Sequence, residues 1–345
     1  MTPHARSRAL LRQLSLATLS SLCFVACAHE DSAASGEDAQ RVVYGEDNRA
    51  EVYVSRNAAA VDLARKSVVA LMSAARVDET DPKAIRFNAK TLKAKKNVCP
   101  ETAFADQPTA AFGSAILIAN DLILTAGHAF EPVPDEGLDT VQKVCDDTRM
   151  VFDYYYEGNS SLKNITQADV FRCKSVIVEE HEVSKDASGD RLILDYAIVQ
   201  LDRDVDLKKR MPVALPRVLP KLKRGDALFA VGFPNGVPAK VVSGTVIDPG
   251  KSGDYFGANP DTFGGNSGSG LFATTASGVA YVGLLARGQV DYELDEARGC
   301  NVRHKCNERC SPADEELPSG FEEATYAHHA LRAFCRVQPS HVICK

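Results

Sequence analysis

The sequence predicts an all-β protein that closes on a single C-terminal helix, and three observations carry that reading. Short apolar segments punctuated by many of the 23 glycines and 16 prolines recur along the chain, as in proteins built from many short strands. Pro212, Pro216 and Pro220 fall within one stretch and forbid a regular element there, which divides the chain into two β-rich halves. The length, 345 residues at 45% hydrophobic content, suits one catalytic unit of two sub-domains with a leader in front.

The leader comes first. Residues 1–26 carry Arg6, Arg8 and Arg12, no acidic residue, and an apolar stretch from Leu14 to Ala26, which together make an export signal. Phe24-Val25-Ala26-Cys27 has the form of a bacterial lipobox with Cys27 as the lipidated residue. The rival reading is Ala26-Cys27-Ala28 as an ordinary small-x-small cleavage site. The polar run His29 to Gln40 suits a flexible tether, which favours the lipoprotein. Residues 27–57 are thus tether and N-terminal arm, 58–211 the first half and 212–345 the second.

In the first half, Ala58 to Arg65 predicts two helical turns and Ser67 to Met72 the first strand; Asp78 to Lys96 reads as a solvated loop. Ala115 to Ile118, the turn pair Asn120-Asp121 and Leu122 to His128 read as a hairpin whose second strand ends in a histidine. Met150 to Tyr156 and Val170 to Val178 are rich in β-formers, and Asp195 opens the apolar strand Asp195 to Leu201. In the second half, Ala227 to Val231 and Lys240 to Ile247 flank a turn at Gly232 to Gly236. Gly270 to Thr275 and Val279 to Ala286 form a hairpin about Ser277-Gly278. At the end, Ser319 and Glu322 have capping-box spacing, while Phe321, Ala324, Ala327, His328, Leu331 and Phe334 share a helical face, so the helix is expected from there onward.

Cysteines support export. Outside the leader, Cys99, Cys145, Cys173, Cys300, Cys306, Cys310, Cys335 and Cys344 are an even number, enough for up to four disulfides of open connectivity. Cys300, His304, Cys306 and Cys310 lack the paired spacing of structural zinc sites, so disulfides are the better reading. A net charge of −6 with no basic face argues against nucleic acid as a partner.

The chemistry concentrates in Asp261-Thr262-Phe263-Gly264-Gly265-Asn266-Ser267-Gly268-Ser269-Gly270. A serine hydroxyl is a poor nucleophile until a base takes its proton, and glycines around it let the backbone turn amide N–H groups toward one point. Ser267 is the candidate nucleophile, with the amides of Gly265 and Ser267 as oxyanion donors. His128 supplies a base of near-neutral pKa. Asp195 would fix its tautomer and steady the imidazolium. The ordinary alternatives are a Gly/Ser turn, a surface histidine and a strand-edge aspartate. The three arriving in the order His, Asp, Ser outweigh them.

That order, with Thr-Ala-Gly-His and Gly-Asn-Ser-Gly-Ser in place, resembles the trypsin/chymotrypsin-type serine proteases, and the second motif resembles their bacterial glutamyl-endopeptidase branch. The resemblance implies two six-stranded chymotrypsin-like β-barrels, His128 and Asp195 on the first and Ser267 on the second, with a terminal helix packed on the second barrel. It implies no cofactor and no metal. Two departures matter: Gly113 and Ala129 stand where the family pairs two cysteines, and Asn266 stands where trypsins carry the aspartate that receives a newly cut N-terminus. Activity independent of such a cut is expected.

For the specificity pocket, the resemblance puts Asp261 at the pocket-floor position of trypsin and Thr262 at a threonine of the glutamyl branch, with Leu285 and Gly288 on the strand beyond. Leu285 replaces the histidine that the glutamyl branch needs; a glutamate pocket without that cation would bury an unpaired carboxylate. Cleavage after basic residues is preferred. The sequence therefore predicts an exported, monomeric serine endopeptidase acting on protein or peptide, touching a membrane only through an N-terminal lipid. The competing reading is a catalytically silent homologue serving as a surface binding module, and an esterase on the same scaffold would share the mechanism.

Overall fold

The computed structural model describes residues 43–159, 161–185, 191–275, 278–306 and 320–345. All of these residues belong to one compact unit. The expected leader, lipobox and tether, and Ser319 and Cys310, lie outside the described residues.

Two closed, six-stranded antiparallel barrels make up the body. The first uses β1 (Val68–Ser73), β2 (Gly113–Leu117), β3 (Leu122–Thr125), β4 (Thr148–Val151), β5 (Val170–Lys185) and β6 (Arg191–Leu201), hydrogen-bonded in the order β5-β6-β3-β2-β1-β4 and closed by β4 on β5. The second uses β7 (Ala227–Gly232), β8 (Lys240–Asp248), β9 (Tyr255–Ala258), β10 (Gly270–Thr275), β11 (Gly278–Arg287) and β12 (Glu322–Tyr326), in the order β7-β10-β11-β12-β9-β8 with β7 closing on β8.

Side chains alternate across a strand, and both faces of these strands are apolar. On β1, Val69 and Leu71 enter the first barrel's interior with Leu117, Ile123, Met150 and Val199. Val68, Ala70 and Met72 turn the other way, into a cluster that also takes Phe229, Val231 and Phe272 from the second barrel. The second barrel's interior is filled by Leu228, Val242, Phe256, Leu271, Leu285 and Tyr326. The barrels therefore share a core between them.

The helix α1 (Ala58–Lys66) forms as expected, with Asn57 accepting from the Ala60 amide as its N-cap. Residues 212–224 are irregular, as their prolines require. Three expectations change. The strand carrying Asp195 begins earlier, at Arg191, so Asp195 sits mid-strand opposite His181. A helix α2 (Val141–Asp147) and strand β9 occupy stretches whose sequence gave no clear period.

The C-terminal helix α3 spans His328–Val337 only, because Glu322–Tyr326 is the sixth strand of the second barrel, paired on both sides by β9 and β11. The helical spacing of Phe321, Ala324 and Ala327 is outweighed by the need to close the barrel's two open edges. α3 packs on β5 and β6 of the first barrel, and through His329 it also meets Gly253 and Asp254 of the second. Disulfides join Cys99 to Cys300, Cys145 to Cys173 and Cys335 to Cys344. Cys306 is also disulfide-bonded, which removes Cys300 and Cys306 from any zinc site. Such bridges belong to an extracellular or exported protein. Among the described residues no helix is long and apolar enough to cross a membrane.

Candidate active site

β3 delivers its chain to the histidine through Ala126 and a 3-10 turn, Gly127–Phe130. Gly127 is required there: a Cβ would lie 2.2 Å from the Glu180 carbonyl oxygen, so only glycine lets the turn lie on β5. β6 pairs with β3 and brings Asp195 beneath the turn. Asp195 is fully buried, and its Oδ1 accepts from the amides of Gly127 at 2.6 Å and His128 at 3.1 Å. Its Oδ2 lies 2.6 Å from His128 Nδ1. Burial alone would raise this carboxyl, but the adjacent His128 imidazole and its hydrogen bonds bring it below the ordinary value, so Asp195 is ionised. With Nδ1 facing the Asp195 carboxylate, Nε2 is the ring nitrogen turned away from it. The His128 side chain is 27% exposed, which leaves it open to the cleft.

Ser267 lies in the loop between β9 and β10. That loop is docked on the first barrel: its Ser267 carbonyl accepts from the Ser114 amide at 2.9 Å, and its Gly265 carbonyl accepts from Ser114 Oγ at 2.7 Å. Gly268, at φ +80°, approaches so closely that a Cβ would stand 2.2 Å from the Ser114 carbonyl oxygen and 2.9 Å from the Ala126 nitrogen. Ala126 is two residues from His128. The serine loop is thus bonded to β2 and lies close against the end of β3, the strand that leads to the histidine.

Next to Ser267, the Gly264–Gly265 peptide has a defined orientation. Its carbonyl accepts from the Asn235 amide at 2.5 Å, and because the C=O and N–H of a trans peptide point oppositely, the Gly265 N–H is turned the other way. Gly265 takes φ +88°, where a Cβ would stand 2.7 Å from the Phe233 carbonyl oxygen. The Gly264 amide meets the Asp291 carboxylate at 3.1 and 3.2 Å. Asn235 is itself left-handed, at φ 56°, and its Nδ2 donates to the Tyr292 hydroxyl at 3.0 Å.

The residues expected to form the pocket are mostly withdrawn. Asp261 is fully buried, and its two oxygens accept from the Tyr44 and Asn48 amides, each at 2.7 Å. A carboxylate so occupied anchors the N-terminal arm, which corrects the expectation that it meets a substrate's basic side chain. Burial pushes Asp261 up to about 6, against the pull of those two amides. The Thr262 hydroxyl donates to Glu322, whose other oxygen faces the Tyr44 hydroxyl at 3.4 Å and the Gln289 amide at 3.3 Å. Leu285 is a core residue of the second barrel whose backbone bonds Gly268 and Ser269. Gly288 follows β11 and is buried.

His181 was passed over in the sequence because nothing around it marks it. In space its ring lies 5.7 Å from that of His128, centroid to centroid, and its Nδ1 is bonded to Glu131. The β5–β6 register creates this neighbourhood, and only a strand alignment would have revealed it. His128, His181 and Asp195 offer ligand atoms within 4.8 Å of one another. Both imidazole Nδ1 atoms are committed to carboxylates, so the group stands as two imidazole–carboxylate pairs side by side.

Residues 113–281, just under half of the chain, match the family model described as trypsin-like peptidase domain. No curated protein matches the chain. The matched stretch runs from β2 into β11 and so contains His128, Asp195 and Ser267. Over that stretch, and in its two closed barrels, the chain is similar to the trypsin-like peptidases, and the similarity supports a serine protease.

Proposed function

We propose that the protein is an exported serine endopeptidase that hydrolyses peptide bonds through Ser267, His128 and Asp195 by way of an acyl-enzyme. The observation that carries the reading is the buried Asp195 carboxylate 2.6 Å from His128 Nδ1, in the same barrel whose strand β2 is hydrogen-bonded to the serine loop through Ser114. In this mechanism His128 takes the Ser267 proton as the hydroxyl attacks the carbonyl, and returns it to the leaving amine. The amides of Gly265 and Ser267 receive the oxyanion; such donors each contribute about 3 to 4 kcal/mol to the transition state. Water then repeats the sequence on the acyl-enzyme.

The residue before the scissile bond is proposed to be basic. Asp291 and Glu322 place two buried carboxylates beside the nucleophile loop, which supports a cationic side chain there. The Gly-Asn-Ser-Gly-Ser form of the glutamyl branch is present, but Leu285 offers no cation for an acidic one. Paired chromogenic substrates with Arg or Glu at that position decide it; no cleavage of the Arg substrate rejects the basic preference. The chemistry itself is tested with a fluorophosphonate probe on wild type beside Ser267→Ala. Labelling of wild type and not of the variant is expected, and a silent wild type would leave the binding-module reading standing.

A further inference from the structure

The second barrel carries an element that its own strands do not supply. Residues 43–51 cross it as an extended arm, with Val43–Tyr44 pairing parallel to Lys305–Cys306 and Ala50–Glu51 pairing with Lys240–Val241 of β8. The arm meets Asp261 and Phe263 at the start of the nucleophile loop. Tyr44 and Asn48 donate their amides to Asp261. The guanidinium of Arg49, wholly buried, lies 3.8 Å from the centroid of the Phe263 ring, and Phe263 is fully buried under it. Asp47 holds Arg49 through Nε at 2.9 Å and Nη2 at 2.8 Å, and is itself held by Arg303.

These contacts lead to the proposed oxyanion donors in two steps. Phe263 precedes Gly264, whose amide and carbonyl are fixed by Asp291 and Asn235, and whose peptide orients the Gly265 N–H. The Phe263 ring also packs 5.5 Å from that of Tyr292, which accepts from Asn235 Nδ2. Arg49 therefore bears, through Phe263 and Tyr292, on the Asn235 that holds the Gly264 carbonyl. Asn266 offers no carboxylate to receive a free amine, and what grips the loop here is internal chain: two backbone amides and a guanidinium.

We propose that residues 43–51 are a built-in activating strap, in which Arg49 and the Asp261-bound amides position the Gly264–Gly265 peptide so that the serine site forms without a newly cut N-terminus. The inference rests on the serine-hydrolase reading above and adds the device that prepares its oxyanion donors. Arg49 and Asp261 are positioning residues, since neither touches the reacting atoms. A donor pair set in advance acts on the transition state and not on substrate affinity, so the strap belongs in kcat.

The test uses the full chain with Arg49→Ala, Arg49→Lys and Asp261→Asn, followed by the phosphonylation rate of Ser267, by kcat and KM on a small ester, and by hydrogen exchange of amides 262–268. Arg49→Ala and Asp261→Asn are expected to slow phosphonylation and kcat about tenfold with KM changed less than about twofold, and Arg49→Lys to restore part of the rate. Exchange at 262–268 should quicken in the two slow variants while the rest of the second barrel stays protected. If Arg49→Ala does not fold, Asp261→Asn, which leaves Arg49 in place, decides. Variants that fold, phosphonylate within twofold of wild type and leave the exchange unchanged overturn the strap. Quicker exchange with unchanged phosphonylation overturns its activating role. A wild type that never labels sinks the hydrolase reading and that role together, whereas a labelling wild type with indifferent variants sinks the strap alone.

Discussion

The two halves of the site are held in different ways. Asp195 sits on β6 and His128 in the turn that follows the adjacent β3, joined by the β3–β6 ladder and by three hydrogen bonds to a single carboxylate. The Ser267 loop is held from outside its own barrel: by Ser114 of β2, 151 residues before Gly265, and by Tyr44 and Asn48, 217 and 213 residues before Asp261. The proposed base is fixed by its own sheet and needs little else. The proposed nucleophile loop, rich in glycine, takes its shape from distant partners, and those partners are where it can be loosened.

The largest effect is expected on the self-contained half. Asp195→Asn removes the charge that fixes the His128 tautomer and should lower kcat about ten-thousandfold, measured with a peptide substrate. It also replaces one of the acceptors for the Gly127 and His128 amides, so the melting temperature should fall as well. If activity survives within tenfold, the imidazole is oriented by something other than this carboxylate. On the dependent half, Gly265→Ala should cost about 100- to 1000-fold in kcat, because the side chain meets the Phe233 carbonyl at 2.7 Å and turns the peptide that aims the oxyanion donor. Equal activity in that variant would remove Gly265 from the donor set.

This contrast also explains what the sequence disclosed. The hairpin ending in His128, the first strand, α1 and the proline-bound connector were legible because each is specified by residues next to one another. Ser267 was legible through its glycines, whose left-handed torsions at Gly265 and Gly268 the loop requires. Glu322–Tyr326, with two glutamates in five residues, carries no strand-like alternation of apolar residues, and its strand state is decided by β9 and β11, distant in the chain. The role of Asp261 was hidden for the same reason. A carboxylate six residues before the nucleophile carries no mark of the backbone amides that fold onto it from residues 44 and 48.

A smaller effect should come from the seam between the barrels. Ser114 Oγ donates to the Gly265 carbonyl at 2.7 Å and accepts from the Phe233 amide at 3.1 Å, so Ser114→Ala leaves two buried backbone groups without this partner. At about 1 kcal/mol for each bond, a loss of about 2 kcal/mol in stability is expected, read by denaturant unfolding. kcat should fall about tenfold, since the loop that moves carries the serine. A variant that loses stability without losing rate would show that the seam joins the barrels but does not shape the site.

The last prediction, which changes stability and not rate, separates the two aspartates by the sign of their response to pH. Asp195 has its carboxyl lowered in the fold, so its contribution is complete above the unfolded value near 3.9 and fades as pH falls through its folded value. Asp261 is pushed up to about 6 from an ordinary 3.8, so between these values the folded chain keeps a proton that the unfolded chain has released. Its contribution to stability must therefore decline as pH rises from about 4 to about 6, by on the order of 2 to 3 kcal/mol across the window. Unfolding free energies of wild type and Asp261→Asn, measured from pH 4 to pH 7, should show the wild type losing ground to the variant by that amount as pH rises. Parallel curves would mean that the arm's amides solvate the carboxylate as well as water does, and the two halves of the site would then differ in the reach of their contacts but not in how they hold a charge.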